Sequence, residues 1–118
     1  MNIYRTEAEL QKAVVRYLRS RKDLLFTAPL GERLCTDRKK IGICKSLGFN
    51  PGFADLMIYN APGLAIELKH PCFTHVRPSP TQSAVAARLR THGWVFVCTN
   101  QYPQAISMIE EMYGKKSD

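Results

Sequence analysis

Apolar positions along the chain fall into short periodic runs separated by polar stretches that contain proline and glycine. Over residues 6–19, Leu10, Ala13, Val14, Tyr17 and Leu18 recur at three- and four-residue steps, which predicts an amphipathic helix. Thr6 stands as its N-cap, and Glu9 three residues on occupies the capping-box position. Residues 24–28 read as a short buried strand ended by Pro29, which has no N–H for a sheet ladder. The polar, basic stretch 31–40 leads into a helix-like segment over 41–47 that stops at Gly48. Two strand-like runs, 53–59 and 63–69, flank Asn60-Ala61-Pro62, the pattern of a β-hairpin. Residues 70–80 hold three prolines and no periodicity, and so form a loop. Ser79-Pro80 opens a second helix through Arg90, with Val85 and Leu89 four apart and Gly93 as its stop. Residues 94–99 are a strand rich in aromatic and β-branched side chains; residues 102–113 form a closing helix with Ala105, Ile106, Ile109 and Met112 on one stripe. The tail, 114–118, frays. A helix, a strand, a hairpin and then a helix–strand–helix succession describe an α/β layer fold.

Composition narrows the class. At 118 residues the sequence has room for one domain, 1–118. Hydrophobic residues make up 45% and charged residues 23%, which argues against disorder and against a fibrous chain. The longest apolar stretches, such as Leu64-Ala65-Ile66 and residues 94–98, fall far short of the ~20 residues that span a bilayer. The first ten residues carry Arg5, Glu7 and Glu9 and lack an apolar signal core, so the expected setting is intracellular, cytoplasmic and reducing. Cys35, Cys44, Cys72 and Cys98 show no C-x-x-C spacing and read as reduced thiols; a zinc site with His70, His75 or His92 has no close ligand pair in its favour.

Charge changes the picture further. Lys and Arg number 17 against 10 Asp and Glu, a net +7, which favours a polyanionic partner, nucleic acid ahead of an anionic membrane surface. Arg33, Arg38, Lys39, Lys40, Lys45 and Arg77 are the candidate phosphate contacts, which position DNA without reading its sequence. Arg16, Arg19, Arg21 and Lys22 form a second basic run.

Candidate chemistry lies in the hairpin. With the turn centred on Ala61, Asp55 and Glu67 lie six residues on either side and face each other across the antiparallel pair. Side chains alternate faces, so Glu67 and Lys69 share one side while Leu56, Ile58, Ile66 and Leu68 supply the core side. Opposed like charges are unfavourable unless a cation lies between them, and hard oxygen ligands point to Mg²⁺ or Mn²⁺. The plainer alternative is a solvated Asp55 with Glu67 in a surface bridge to Lys69 or Lys12. The apolar surroundings of Glu67 weigh against it, because an unpartnered charge there is costly.

Pro51-Gly52-Phe53-Ala54-Asp55-Leu56 followed by Ile66-Glu67-Leu68-Lys69 resembles the D…E-x-K signature of the PD-(D/E)XK nuclease superfamily. More narrowly, Leu47-Gly48, Pro51-Gly52, Asp55-Leu56, Ala65 to Lys69, Ser79-Pro80-x-Gln82 and Gly93-Trp94 follow one another in the order seen in VRR-NUC domains, over nearly the whole chain. Ala54 departs from the pattern where it has proline, at a position that shapes backbone and bears no ligand. The resemblance implies a restriction-endonuclease-like core, a central mixed sheet flanked by helices. It implies that Asp55, Glu67 and the main-chain carbonyl of Leu68 hold the metal, that Lys69 orients the attacking water and offsets charge on the phosphate, and that Gln82 reaches back to the site. The family also places an acid on the first helix. Glu7 is preferred over Glu9, because Leu10, Val14 and Leu18 follow it by three, seven and eleven residues and Gln11 lies four residues on.

The activity so implied is Mg²⁺- or Mn²⁺-dependent hydrolysis of DNA that leaves 5′-phosphates. The family's stand-alone viral and bacterial members are similar to Holliday-junction resolvases, which implies a homodimer cutting four-way junctions in a viral or bacterial setting. A flap, replication-fork or single-strand nuclease and a catalytically idle basic DNA-binding module are the alternatives.

Overall fold

The computed structural model describes residues 3–29, 42, 46, 47 and 50–117. The candidate phosphate contacts Arg33, Arg38, Lys39, Lys40 and Lys45 lie outside them, as do Cys35, Cys44 and most of the segment read as a helix over 41–47. In chain order the elements are α1 (Glu7–Ser20), β1 (Phe26–Thr27), β2 (Leu56–Ile58), β3 (Leu64–Leu68), α2 (Pro80–Thr91), β4 (Val95–Thr99) and α3 (Tyr102–Tyr113). The strands form one mixed sheet in the order β1-β2-β3-β4. β2 pairs antiparallel with β1 and β3, while β4 runs parallel to β3 after the α2 crossover.

The hydrophobic stripe of α1 does what its spacing predicts: Leu10, Val14 and Leu18 are fully buried. Thr6 caps the helix by accepting from Glu9 N at 3.1 Å. The Glu9 carboxylate reaches one residue further back than a capping box requires, to Arg5 N at 2.7 Å. α2 starts on Ser79 with both halves of a capping box, to and from Gln82, and gives way at Gly93, whose φ of 84° suits a residue without a side chain.

Both faces of the inner strands are covered, since every residue of β2 and β3 is buried. On one face Leu56, Ile58, Leu64, Ile66, Leu68 and Val97 pack with Leu10, Val14 and Leu18 of α1 and Ala105 and Ile109 of α3. On the other face, alternation places Met57, Ala65 and Glu67, and here α2 contributes buried Gln82 and Ala86.

Two strands are shorter than their sequence patterns. Residues 24–28 yield only the two-residue β1, with Leu25 69% exposed, because it is the sheet's edge and is covered on one side alone. The run 53–59 yields a three-residue β2: before Leu56 the ladder is taken over by a side chain, Asp55 Oδ2, which accepts from Leu68 N at 2.8 Å. Just upstream, Gly52 is buried at φ 93°, and a Cβ there would lie 2.8 Å from the Thr81 carbonyl oxygen. Glycine at this turn therefore lets the segment leading to Asp55 rest against the first turn of α2.

Arg21 departs from its reading as part of an exposed basic run. It is 3% exposed, while Arg16, Arg19 and Lys22 are exposed. Its guanidinium meets both Asp23 oxygens at 2.9 and 2.8 Å, the Tyr17 hydroxyl at 2.9 Å, and the carbonyls of Gly114 at 2.8 Å and Tyr113 at 3.4 Å. The start of the tail is thereby tied to the end of α1 instead of fraying. The five-donor fork explains why arginine and not lysine serves here. Arg21→Ala, which strips those carbonyls and the tyrosine of a charged donor, is expected to lower stability by roughly 2–3 kcal/mol. Asp23→Ala, removing a largely exposed partner, is expected to cost clearly less. Urea denaturation of the two variants checks the order, and equal losses would refute the clamp.

Candidate functional site

The charged residues of the hairpin converge at the C-terminal end of β3, on the face that α2 covers. The register of β2 with β3 pairs Leu56 with Ile66, so continuing it by one step sets Asp55 opposite Glu67, as the sequence spacing predicts. Glu67 is 4% exposed and Asp55 is half-buried. Lys69, two residues on and just past the end of β3, brings Nζ to 3.4 Å from Glu67 Oε2.

Gln82 joins these groups. Its Nε2 donates to Glu67 Oε2 at 2.7 Å, and its Oε1 accepts from Lys69 Nζ at 2.9 Å and from Ser79 N at 2.8 Å. The amide orientation follows from its neighbours, since a flipped amide would set Nε2 against two donors. One side chain thus closes the helix cap and bridges the acid to the lysine. Every buried side-chain nitrogen and oxygen among the described residues has a hydrogen-bond partner.

Electrostatics matches the geometry. Burial pushes the Glu67 carboxyl up to about 7, the charge of Asp55 and a hydrogen bond with it push the same way, and Lys69 pulls against them. The Asp55 charge thus adds to burial in favouring the protonated form of Glu67. Cys98 pairs with Glu67 in the parallel register of β3 and β4, which puts both on one face. Burial raises the Cys98 thiol, Lys69 lowers it, and Glu67 and Asp55 raise it, so it belongs to the same electrostatic neighbourhood. Sequence reasoning missed Cys98 because the 94–99 strand does not reveal which strand it will pair with.

The structure brings together Asp55, Glu67, Lys69 and Gln82 and does not bring Glu7 to them. Glu7 is exposed in the first turn of α1, a helix whose apolar stripe packs on the opposite face of the sheet. Among the described residues no three His, Cys, Asp or Glu side chains are placed to hold a metal ion. Arg77 is exposed on the loop that leads to α2. Cys72 and Cys98 are free thiols, as the lack of paired spacing implies. Among the described residues no helix is long and apolar enough to cross a membrane. No family model, curated protein or solved structure matches the chain.

The raised Glu67 carboxyl has a sign that can be tested. Its folded value lies above its unfolded one, so between about 4.5 and 7 the folded chain holds a proton that the unfolded chain has released. The stability this contributes is full below that window and is lost as pH rises through it. With divalent cations chelated, the wild type is expected to lose on the order of 2 kcal/mol between pH 4.5 and pH 8 from this group. Glu67→Gln should flatten that slope, and urea titrations at the two pH values measure it.

Proposed function

We propose that the chain is a metal-dependent DNA endonuclease whose hydrolytic site is built on Asp55, Glu67 and Lys69. The observation that carries this reading is the pair of facing carboxyls at a strand end, one of them buried, with a lysine and a glutamine amide bound to the same oxygen. Two facing carboxyls that repel each other are a place where a hard divalent cation would relieve the repulsion, which fits Mg²⁺ or Mn²⁺. Leu68 turns its N–H to Asp55, and in extended backbone its carbonyl faces the same strand edge, so a third oxygen is at hand. Asp55, Glu67 and the Leu68 carbonyl would hold the metal, without the acid that the first helix was expected to add. The resemblance of the ordered motifs to VRR-NUC domains supports the same assignment.

When bound, the cation supplies charge neutralisation at the phosphate and acidifies the attacking water. Lys69, anchored by its N–H to the Thr99 carbonyl at 3.0 Å, holds an ammonium at the site to offset charge on the phosphate oxygens. Gln82 fixes that ammonium and keeps the Glu67 carboxylate oriented. The net charge of +7 supports a polyanionic substrate. Branched DNA, cut by a homodimer, is the substrate we assign, since symmetric incision of a four-way junction takes two sites related by a two-fold axis.

A panel of four-way junction, flap, single-stranded and linear duplex DNA, with Mg²⁺ or Mn²⁺, tests the reading. Cleavage is expected first on the junction, with 5′-phosphate ends, and chelation should stop it. Glu67→Ala and Lys69→Ala should each lower cutting by at least about 100-fold while leaving DNA affinity nearly unchanged. No cleavage of any substrate would sink the enzyme reading. The Glu67–Lys69 ion pair, which satisfies the carboxylate without a cation, favours a second reading, a DNA-binding module with an idle site. Calorimetric titration separates the two: the nuclease binds Mn²⁺ at pH 8, and Glu67→Gln and Asp55→Asn weaken that binding by 10-fold or more, whereas the idle module takes up none.

A further inference from the structure

On the loop that follows Lys69 the chain presents an aromatic side chain that the site does not use. Phe73 is 59% exposed, four residues beyond Lys69, at most about 14 Å of chain. Singly exposed apolar residues are ordinary, and Phe73 differs from them in how firmly it is held. The side-chain amide of Asn100, itself 5% exposed, donates to the carbonyls of both His70 and Phe73, at 3.1 and 2.7 Å. Phe73 N donates back to the His70 carbonyl at 3.3 Å, and His70 Nδ1 accepts from Cys72 N at 3.1 Å. The turn is thereby pinned to the end of β4, next to Thr99, whose carbonyl receives the Lys69 N–H. The His70 ring lies 5.6 Å from the Phe73 ring at a 55° tilt, so the two make one aromatic surface.

The charge around this surface selects its partner. Residues 70–79 contain His70, His75 and Arg77 and no acid, and His75 and Arg77 are exposed. A firmly held aromatic on an acid-free loop that also carries an exposed arginine, Arg77, can take a nucleobase by its π-face while a neighbouring phosphate meets positive charge. Bases inside a continuous duplex keep both faces stacked on their neighbours and offer none, so the surface discriminates by DNA structure and not by sequence.

We propose that Phe73, backed by His70 and held by Asn100, is a stacking site for a nucleobase left unstacked at a branch, adjacent to the scissile phosphate. This rests on the nuclease reading and deepens it by naming what distinguishes branched DNA from plain duplex.

The test uses the full chain without divalent cations, so that binding is read apart from cleavage. The probes are blunt duplex, and flap and four-way-junction DNA carrying 2-aminopurine at the branch. Phe73→Ala should weaken binding to the flap and junction by roughly 5- to 150-fold, the span of a lost base–aromatic stack, and change duplex binding less than about 2-fold. Wild type should quench 2-aminopurine at the branch and Phe73→Ala should not. Phe73→Tyr should restore both signals, and Phe73→Leu, which keeps bulk without a π-face, should restore neither. An equal loss on duplex and branched DNA, or full rescue by leucine, would overturn the proposal. So would a change in sedimentation of Phe73→Ala without DNA, which would place the ring in a contact between chains. Because Phe73 is exposed, unchanged thermal unfolding of the variants is expected. Stacking as described with no cutting in Mg²⁺ or Mn²⁺ would refute the nuclease reading alone; cutting with wild-type branch selectivity in Phe73→Ala would refute the stacking site alone.

Discussion

A carboxylate buried in an inner strand of the sheet is the constraint around which this fold is arranged. Glu67 is almost without solvent, and an ionised group in that position is tolerated only with partners. Lys69, just past the end of β3, and Gln82, from the first turn of α2, supply them, while Asp55, from the segment before β2, pushes the other way and favours the protonated form. Because Gln82 Oε1 also receives the Ser79 N–H, the side chain that satisfies Glu67 is the one that begins the helix. Sliding α2 along the sheet would carry its cap with it and pull Gln82 away from Glu67 and Lys69. Gly52, with no room for a Cβ beside Thr81, holds the same helical turn from the other side.

The sheet divides its labour between its faces. One face is wholly apolar and joins α1 and α3 to the strands, which is where the hydrophobic effect stabilises the chain. The opposite face gives up part of its apolar character to Glu67 and Gln82 and offsets it with hydrogen bonds. The β3–α2–β4 crossover makes this possible, since it returns the chain parallel to β3 and sets Cys98 beside Glu67 and the Thr99 carbonyl against Lys69 N. A charged cluster assembled this way lies at a strand terminus, where the 70–79 loop and the first turn of α2 also meet.

Much of this was legible in residue order. The stripes of α1 and α3, the Ser79 and Gly93 boundaries of α2, and the hairpin centred on Ala61 all follow from local spacing and turn chemistry. Asp55 opposite Glu67 follows from the hairpin too, because antiparallel register is set by counting outward from a turn. What local pattern misjudged was burial. Residues 24–28 look like an interior strand but make an edge, and Arg21 looks like a surface cation but is a buried clamp. In each case the residue type was read correctly and its neighbours were supplied by distant chain.

By itself, then, the sequence determined which of the described segments form helices and strands, the pairing of Asp55 with Glu67, and the basic surplus that favours a polyanion. These depend on separations of a few residues, over which backbone geometry repeats. Only the tertiary structure decided that Gln82 binds both Glu67 and Lys69, that Cys98 shares the face of Glu67, and that Asn100 holds the turn from His70 to Phe73. Those contacts depend on how a parallel crossover and three helices pack, which is settled by burial and hydrogen-bond satisfaction across the whole fold and by no local spacing.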